Sequence, residues 1–250
     1  MSTERDERFQ DLLAQIDKSR LPRHVGVIMD GNRRWARQHK VSRIKGHRQG
    51  IISVQEVVYA AGKAGLEHIT IYTFSTENWQ RSKTEVNSLM RLFTETISKY
   101  IDGLHANNVK IDVIGSRQRI STQLLDNFNN VCSRTWNNTG LNLHIALNYG
   151  GRQEVVEAIN QIIDDMASGR IPKQPVTEEL IGSYLYTTKI PDPDLIIRTS
   201  GEQRMSNFLL WQSAYSELYF TSVYWPDFDR CCFLEALLDY QNRNRKFGAE

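Results

Sequence analysis

Residues 24–38, HVGVIMDGNRRWARQ, decide the fold. A short run of apolar or small residues, 25–29 (VGVIM), leads without polar alternation into Asp30-Gly31-Asn32, then Arg33, Arg34 and Trp35. An unbroken apolar run of this kind reads as a strand buried on both faces. A carboxylate, a glycine, an amide and two cations at its carboxyl end are more than a strand needs in order to stop.

The same grammar recurs along the chain. Apolar runs at 69–74 (ITIYTF), 109–115 (VKIDVIG), 141–149 (LNLHIALNY), 194–200 (DLIIRTS) and 218–225 (LYFTSVYW) alternate with helical periodicities at 50–65, 84–104 and 153–167. The alternation predicts an α/β fold: one domain with a central, six-stranded, mostly parallel sheet flanked by helices. The proline-rich stretch 168–193 reads as a long surface connection with a short helix near 178–186, and 229–246 reads as a last helix. Residues 1–20 are highly charged and are expected to form a helical extension to a domain spanning 21–250.

The chain has 250 residues, 40% hydrophobic and 24% charged, which is enough apolar material for a sizeable core. A net charge of +2, from 31 basic and 29 acidic residues, provides no global field for nucleic acid. The charged N-terminal stretch resembles no signal peptide, and no apolar run reaches the ~18 residues of a membrane helix, so a cytoplasmic protein is expected. Cys132, Cys231 and Cys232 lack a C-x-x-C spacing and read as reduced thiols.

The polar outliers gather after the strands: Asp30–Arg34 after the first, Ser75–Trp79 after the second, Asn148–Arg152 after the fourth and Arg198–Glu202 at the fifth. In a parallel sheet these all fall on the carboxyl edge, where open α/β sheets bind ligands. The basic residues there are Arg33, Arg34, Arg43, Arg81, Arg198 and Arg204, with His47 before a helix close by. Arginine forks match phosphate oxygens, and Gly31 would let backbone N–H groups approach an anion. Asp30 among those cations points to a magnesium ion shared with phosphate oxygens, with Glu217 as a plausible second carboxylate. Walker-type, dinucleotide and hydrolase motifs are all missing from the sequence, and Asp164-Asp165 lacks a second acidic pair.

Taken together, HVGVIMDGNRRWARQ, RIKGHRQG, ITIYTFSTENWQR, LNYGGRQEVVEA, PDLIIRTSGEQRMSNFLLWQSAYSELYF and WPDFD resemble the cis-prenyltransferases, above all the bacterial branch that makes undecaprenyl diphosphate. The resemblance runs from about residue 21 to residue 248. It implies a magnesium-dependent homodimer that condenses isopentenyl diphosphate repeatedly onto farnesyl diphosphate. The long-chain product would serve the cell-wall lipid carrier, with transient contact at the inner face of the membrane for product release. A shorter-chain synthase or a non-catalytic partner subunit are the alternatives; intact Asp30-Gly31-Asn32 and the late arginines weigh against the second.

By the same resemblance, Asp30 is the essential carboxylate, binding magnesium together with Glu217. Gly31, Asn32, Arg33, Arg34, Arg43 and His47 hold the allylic diphosphate, with Trp35 beside it. Phe74, Ser75, Thr76, Glu77, Trp79 and Arg81 belong to a mobile segment closing over the substrates, in which Asn78 positions groups or transfers a proton. Arg198, Arg204 and Ser206 take the isopentenyl diphosphate. Arg33 stands where many members have glycine, and Lys246, before Phe247 and Gly248, stands where many have arginine. The proton acceptor stays open between Asp30, Asn78 and a diphosphate oxygen.

A growing polyprenyl chain needs an apolar tunnel between sheet and helices, since burial is worth about 0.8 kcal/mol per CH₂. Leu89, Leu92, Phe93 and Ile97 on the 84–104 helix are its candidate wall, and Val109, Leu141 and Ile145 its candidate far end.

Overall fold

The computed structural model describes residues 2–244, apart from the side chains of residues 2, 3 and 97. Ile97 as a tunnel side chain, and Lys246, Phe247 and Gly248, therefore lie outside the described residues.

Six strands form one sheet: β1 (His24–Ile28), β2 (His68–Ser75), β3 (Lys110–Ile114), β4 (Asn142–Tyr149), β5 (Leu195–Arg198) and β6 (Glu217–Phe220). Their order is β3-β4-β2-β1-β5-β6 and every neighbouring pair is parallel. Among the described residues eight helices surround it: α1 (Ser2–Ala14), α2 (Asn32–Gln38), α3 (Arg43–Ala64), α4 (Lys83–Ala106), α5 (Thr122–Thr135), α6 (Gly151–Ala167), α7 (Glu178–Tyr184) and α8 (Arg230–Gln241).

The period of two along each strand sorts the core into layers. Val25, Val27, Ile69, Ile71 and Ile197 meet Val57 of α3 and Leu234 of α8 on one face. Ile28, Ala146 and Ile196 meet Tyr149, Phe208 and Leu209 on the other. A third cluster joins Phe74 and Leu147 to Leu89 of α4 and Phe128 of α5.

Several boundaries differ from the sequence reading. α3 starts at Arg43, not near 50, because Ser42 caps it and Gly46 and Gly50 are contact points, not a boundary. A Cβ at Gly46 would lie 2.4 Å from the Asn32 carbonyl oxygen, and one at Gly50 2.4 Å from Asn32 Oδ1, so these glycines let α3 press against α2. β6 stops at Phe220, short of the 218–225 run, and Trp225 opens a 3-10 turn (Trp225–Asp227) with its indole donating to the Gly50 carbonyl at 2.8 Å. α5 was not foreseen, although Ser121 caps it and Leu124, Phe128 and Val131 bury one face. α1 packs Phe9 into the main core, and its Arg5 and Arg8 pair with Glu56 and Glu235.

Three histidines meet at the amino ends of β1, β2 and β4. His24 donates from Nδ1 to the Pro191 carbonyl at 2.6 Å and accepts from Thr70 at 2.7 Å, and His68 and His144 stack with centroids 5.3 Å apart. Burial, aided by the neighbouring imidazoles, pulls His24 down to about 3 and His68 to about 4 from an ordinary 6.5. The folded protein therefore holds both neutral where the unfolded chain would protonate them. Stability from this pair is fully present above pH 6.5 and is lost as pH falls through about 4 for His68 and on to about 3 for His24. Urea midpoints should fall across that window; a midpoint that rose with acidification would contradict the assignment.

Candidate active site

The order β3-β4-β2-β1-β5-β6 puts β2 on one side of β1 and β5 on the other, creating a crevice at the carboxyl ends where open α/β sheets take ligands. Asp30, just past β1, and Arg198, the last residue of β5, face each other across it with Arg198 Nη2 at 2.8 Å from Asp30 Oδ2. The buried Arg198 guanidinium also donates to Ser206 Oγ at 2.7 Å and to the Arg204 carbonyl. Asp30 Oδ1 accepts from the Gly31 N–H at 2.7 Å and lies 3.1 Å from Arg34 Nη2. Burial alone would push the Asp30 carboxyl up, but the Arg198 hydrogen bond and the charges of Arg34 and Arg198 hold it below its ordinary value. Arg34 is in turn fixed by the Ser200 carbonyl, Ser200 Oγ and Glu202 at 2.8 Å, and Glu202 also pairs with Arg204.

Gly31 sits at φ 107°, where a Cβ would lie 2.9 Å from Tyr224 and 3.0 Å from Ser200, so the turn requires glycine. Its own N–H donates to Asp30 Oδ1. No side chain caps α2 at this end. Arg33 is exposed and has no hydrogen bond or ion pair among the described residues. His47 of α3 is held neutral, down to about 4, by burial first and then by Arg81 and Arg33 against the opposing Glu85. Glu85, which the sequence reading passed over, lies 3.2 Å from both Arg43 and Arg81 and ties α3 to the segment after β2.

That segment is a 3-10 turn, Thr76–Gln80. Asn78 Oδ1 accepts from the Ser75 N–H at 3.2 Å. Two asparagines, one near the end of β4 and one in the loop between β5 and β6, grip the turn. Asn207 Nδ2 donates to Glu77 at 2.8 Å, and Asn148 Oδ1 accepts from the Trp79 indole at 2.6 Å. Both asparagines have positive φ, 65° and 50°, which this residue tolerates better than most. Asn207 did not figure among the expected site residues, and Asn148 figured only as part of a polar cluster.

Some expected residues take supporting places. Trp35 donates to Asp227 at 2.7 Å and stacks on His39 at 4.0 Å. Phe74 is buried edge-on against Trp79 at 5.1 Å, forming a pedestal under the turn. Thr76 packs beside Gly150, where a Cβ would meet its hydroxyl at 2.5 Å. Glu217 begins β6 opposite Leu195, three register steps before the Phe220–Arg198 pair, and bonds Arg243 at 2.9 Å. At ~3.3 Å per residue that puts it roughly 10 Å short of the carboxyl edge. One chain therefore does not bring Glu217 to Asp30.

A cavity of about 1380 Å³ begins at this edge and runs between the sheet and helices α3 and α4. This exceeds the ~300–1,000 Å³ of ordinary small-molecule sites. Asp30, Arg34, His47, Arg81, Arg198 and Ser206 line its polar mouth, and Gly31, Asn32, Arg33, Ser75, Glu77 and Asn78 border it. Trp35, Arg43, Phe74, Thr76, Trp79 and Arg204 are not among its lining residues, and neither is Glu217. Beyond the mouth the walls are apolar, with Leu89, Leu92 and Phe93 as expected and Ile51 and Val54 from α3. Val109 and Leu141 lie at the far end; Ile145 pairs with Ile71 in mid-sheet and forms wall, not end. Three buried polar atoms without a partner among the described residues, Arg198 Nε, His47 Nε2 and Asn32 Oδ1, belong to residues on this mouth. Two are nitrogens that can donate to an anion.

Residues 28–248 match the family model described as "Putative undecaprenyl diphosphate synthase". The chain belongs to this family of cis-prenyltransferases. It is 50% identical to an isoprenyl transferase of Streptococcus pneumoniae over 92% of this chain and 93% of that one. It is 46% identical to an isoprenyl transferase of Clostridium perfringens, over 97% and 95%. Lavandulyl diphosphate synthase from Lavandula x intermedia, solved with dimethylallyl diphosphate, superposes with a TM-score of 0.89 at 34% identity over 92% of this chain and 99% of that one. A probable undecaprenyl diphosphate synthase from Campylobacter jejuni superposes at 0.76 with 27% identity, over 90% and 98%. As a cis-prenyltransferase, the chain transfers prenyl groups, and its polar mouth opens directly onto apolar walls suited to them.

Among the described residues no group of three or more His, Cys, Asp or Glu side chains could cage a metal ion. The ionised Asp30 carboxylate on a mouth rich in cations does fit magnesium, which commonly takes one or two carboxylates and completes its shell with substrate phosphate and water. Asp30 is the residue that would hold it.

Proposed function

We propose that this cis-prenyltransferase condenses isopentenyl diphosphate repeatedly onto farnesyl diphosphate, with magnesium, and builds a cis-polyprenyl diphosphate of undecaprenyl length for the cell-wall lipid carrier. The observation that carries this reading is the joining of an arginine-lined mouth, with Arg198 Nε and His47 Nε2 unpartnered, to an apolar cavity of about 1380 Å³. The solved relative bound to dimethylallyl diphosphate supports an allylic diphosphate as the ligand of this mouth.

The chain's own groups divide the work. Arg34, His47 and the first turn of α2 surround the place for the allylic diphosphate. Hydrogen-bond donors aimed at its oxygens act most strongly as charge builds on the departing group. Arg198 and Ser206 orient the second diphosphate, so that its double bond faces the allylic carbon. Magnesium, when bound, stabilises negative charge on the leaving oxygens. The oxygen of Asn78 is committed to the Ser75 N–H, which leaves its amide N–H₂ to position substrate. Asp30 or a diphosphate oxygen then receives the proton.

The homodimer belongs to the proposal as well. Leu218 on edge strand β6, with Leu210 and Tyr215 nearby in sequence, is an exposed large hydrophobic residue suited to an interface. No helix among the described residues is long and apolar enough to cross a membrane, and a cytoplasmic enzyme touching the inner face of the membrane fits the proposed product.

Leu141, 4% exposed at the far end of the cavity, should limit chain length. Leu141→Ala is expected to shift the product to longer chains on thin-layer analysis, at a stability cost of about 2–5 kcal/mol; an unchanged profile would remove Leu141 from this role. The proposal itself is tested by incubating the protein with labelled isopentenyl diphosphate, farnesyl diphosphate and magnesium. Label should enter a butanol-extractable product and a chelator should stop it. No extractable label from the active preparation would overturn it.

A further inference from the structure

The cavity meets the surface a second time, far from Asp30. Gly62 and Lys63 of α3, Lys99 and Gly103 of α4, and Asn107 just past α4 line it and are all exposed. They lie in the closing turns of their helices, towards the amino edge of the sheet, where β2 and β3 begin. Gly62 and Gly103 lack left-handed backbones, and a Cβ on either meets nothing within 4 Å. A glycine within a helix costs up to about 1 kcal/mol relative to alanine. No close contact requires it here; what the missing side chains preserve is the gap between α3 and α4.

The rim of that gap has a particular chemistry. Lys63 Nζ lies over the Tyr59 ring at 5.5 Å, and Lys99 Nζ over the Tyr100 ring at 5.0 Å. Lys110 follows Asn108 and Val109, which line the same cavity, and its Nζ lies 4.2 Å from the centroid of Trp136, a ring residue 65% exposed. Nearby Asp102 is occupied by Arg134 and Glu67 by Arg23, while Asp112 lies close enough to Lys110 to feel its charge, so Lys63 and Lys99 are the lysines that carry the charge of the rim. Tyrosine and tryptophan favour the water–lipid interface, and lysine can lay its stem along apolar surface with its charge at the headgroups.

We propose that this second opening, between α3 and α4, docks on an anionic bilayer and is the portal by which the apolar end of the product reaches lipid. The proposal rests on the polyprenyl reading above and adds to its membrane contact the face of the protein that makes it and the anionic headgroups that face selects. The lysine rim supplies charge complementarity, and the glycine gap supplies a path from the cavity.

The test is flotation of the full chain with vesicles of phosphatidylcholine alone or mixed equally with phosphatidylglycerol. The wild type should float with the mixed vesicles only, and salt should release it. Lys63→Gln with Lys99→Gln should weaken partitioning about thirty-fold, the equivalent of roughly 1 kcal/mol per lysine. Equal binding to both vesicles, or an unweakened double variant, would overturn the docking surface. Gly103→Leu puts a side chain into open space in the gap and should slow transfer of labelled product into mixed vesicles while flotation persists. An unchanged transfer rate would overturn the portal. Flotation needs no turnover, so it is read out even if no prenyl product forms, and failure of the enzymatic reading stays separate from failure of the docking surface.

Discussion

Asp30→Asn should lower turnover by on the order of a thousand-fold while the fold persists. The carboxylate is kept ionised between Arg198 and Arg34, where an acidic oxygen donor suits magnesium, whereas Glu77 on the same mouth is engaged by Asn207. Asparagine retains one oxygen for the Gly31 N–H or Arg198 but has no charge to share with a metal. Asp30→Ala is the poorer test, because it strands the charge of buried Arg198 at a cost of up to about 3–5 kcal/mol. Steady-state rates beside thermal denaturation separate the two effects. A variant with near-wild-type turnover would remove Asp30 from the chemistry.

Arg198→Lys should be nearly as damaging, on the order of a hundred-fold in kcat/KM. One guanidinium reaches Asp30, Ser206 and the Arg204 carbonyl at once and still has Nε unpartnered among the described residues. An ammonium is a point charge and cannot span that fork. The loss should fall on both KM for isopentenyl diphosphate and kcat, since the same group positions substrate and holds Asp30. Hydrogen exchange should also rise in 199–207, which the fork anchors. A change confined to KM would mean that Arg198 binds without positioning Asp30.

The part of this site nearest the strands was legible before any coordinates. An apolar run ending in Asp-Gly-Asn-Arg-Arg, repeated as polar clusters after later strands, is enough to gather Asp30, Arg34, Asn78 and Arg198 on one edge, because parallel strands share a direction. What the sequence hid depends on side-chain direction and register. Trp35 and Phe74 carry aromatic rings at the right places in the chain, but Trp35 stacks on His39 and Phe74 packs edge-on against Trp79, and neither lines the cavity. Glu217 lies beside the right strand but at the wrong end of it. Glu85, Asn148 and Asn207 are ordinary polar residues singly, and only tertiary distance shows them clamping the turn over the mouth. Gly46 and Gly50 look like helix breakers in a sequence, yet they are where two helices touch.

The fold places two unlike environments end to end, a cationic mouth and a long apolar cavity, a junction suited to building a long prenyl chain. The most direct measurement is the mass spectrum of the dephosphorylated product made by the wild-type protein from farnesyl diphosphate and excess isopentenyl diphosphate. A distribution centred on the undecaprenyl chain is expected; a product that stops after a single condensation would overturn the long-chain assignment.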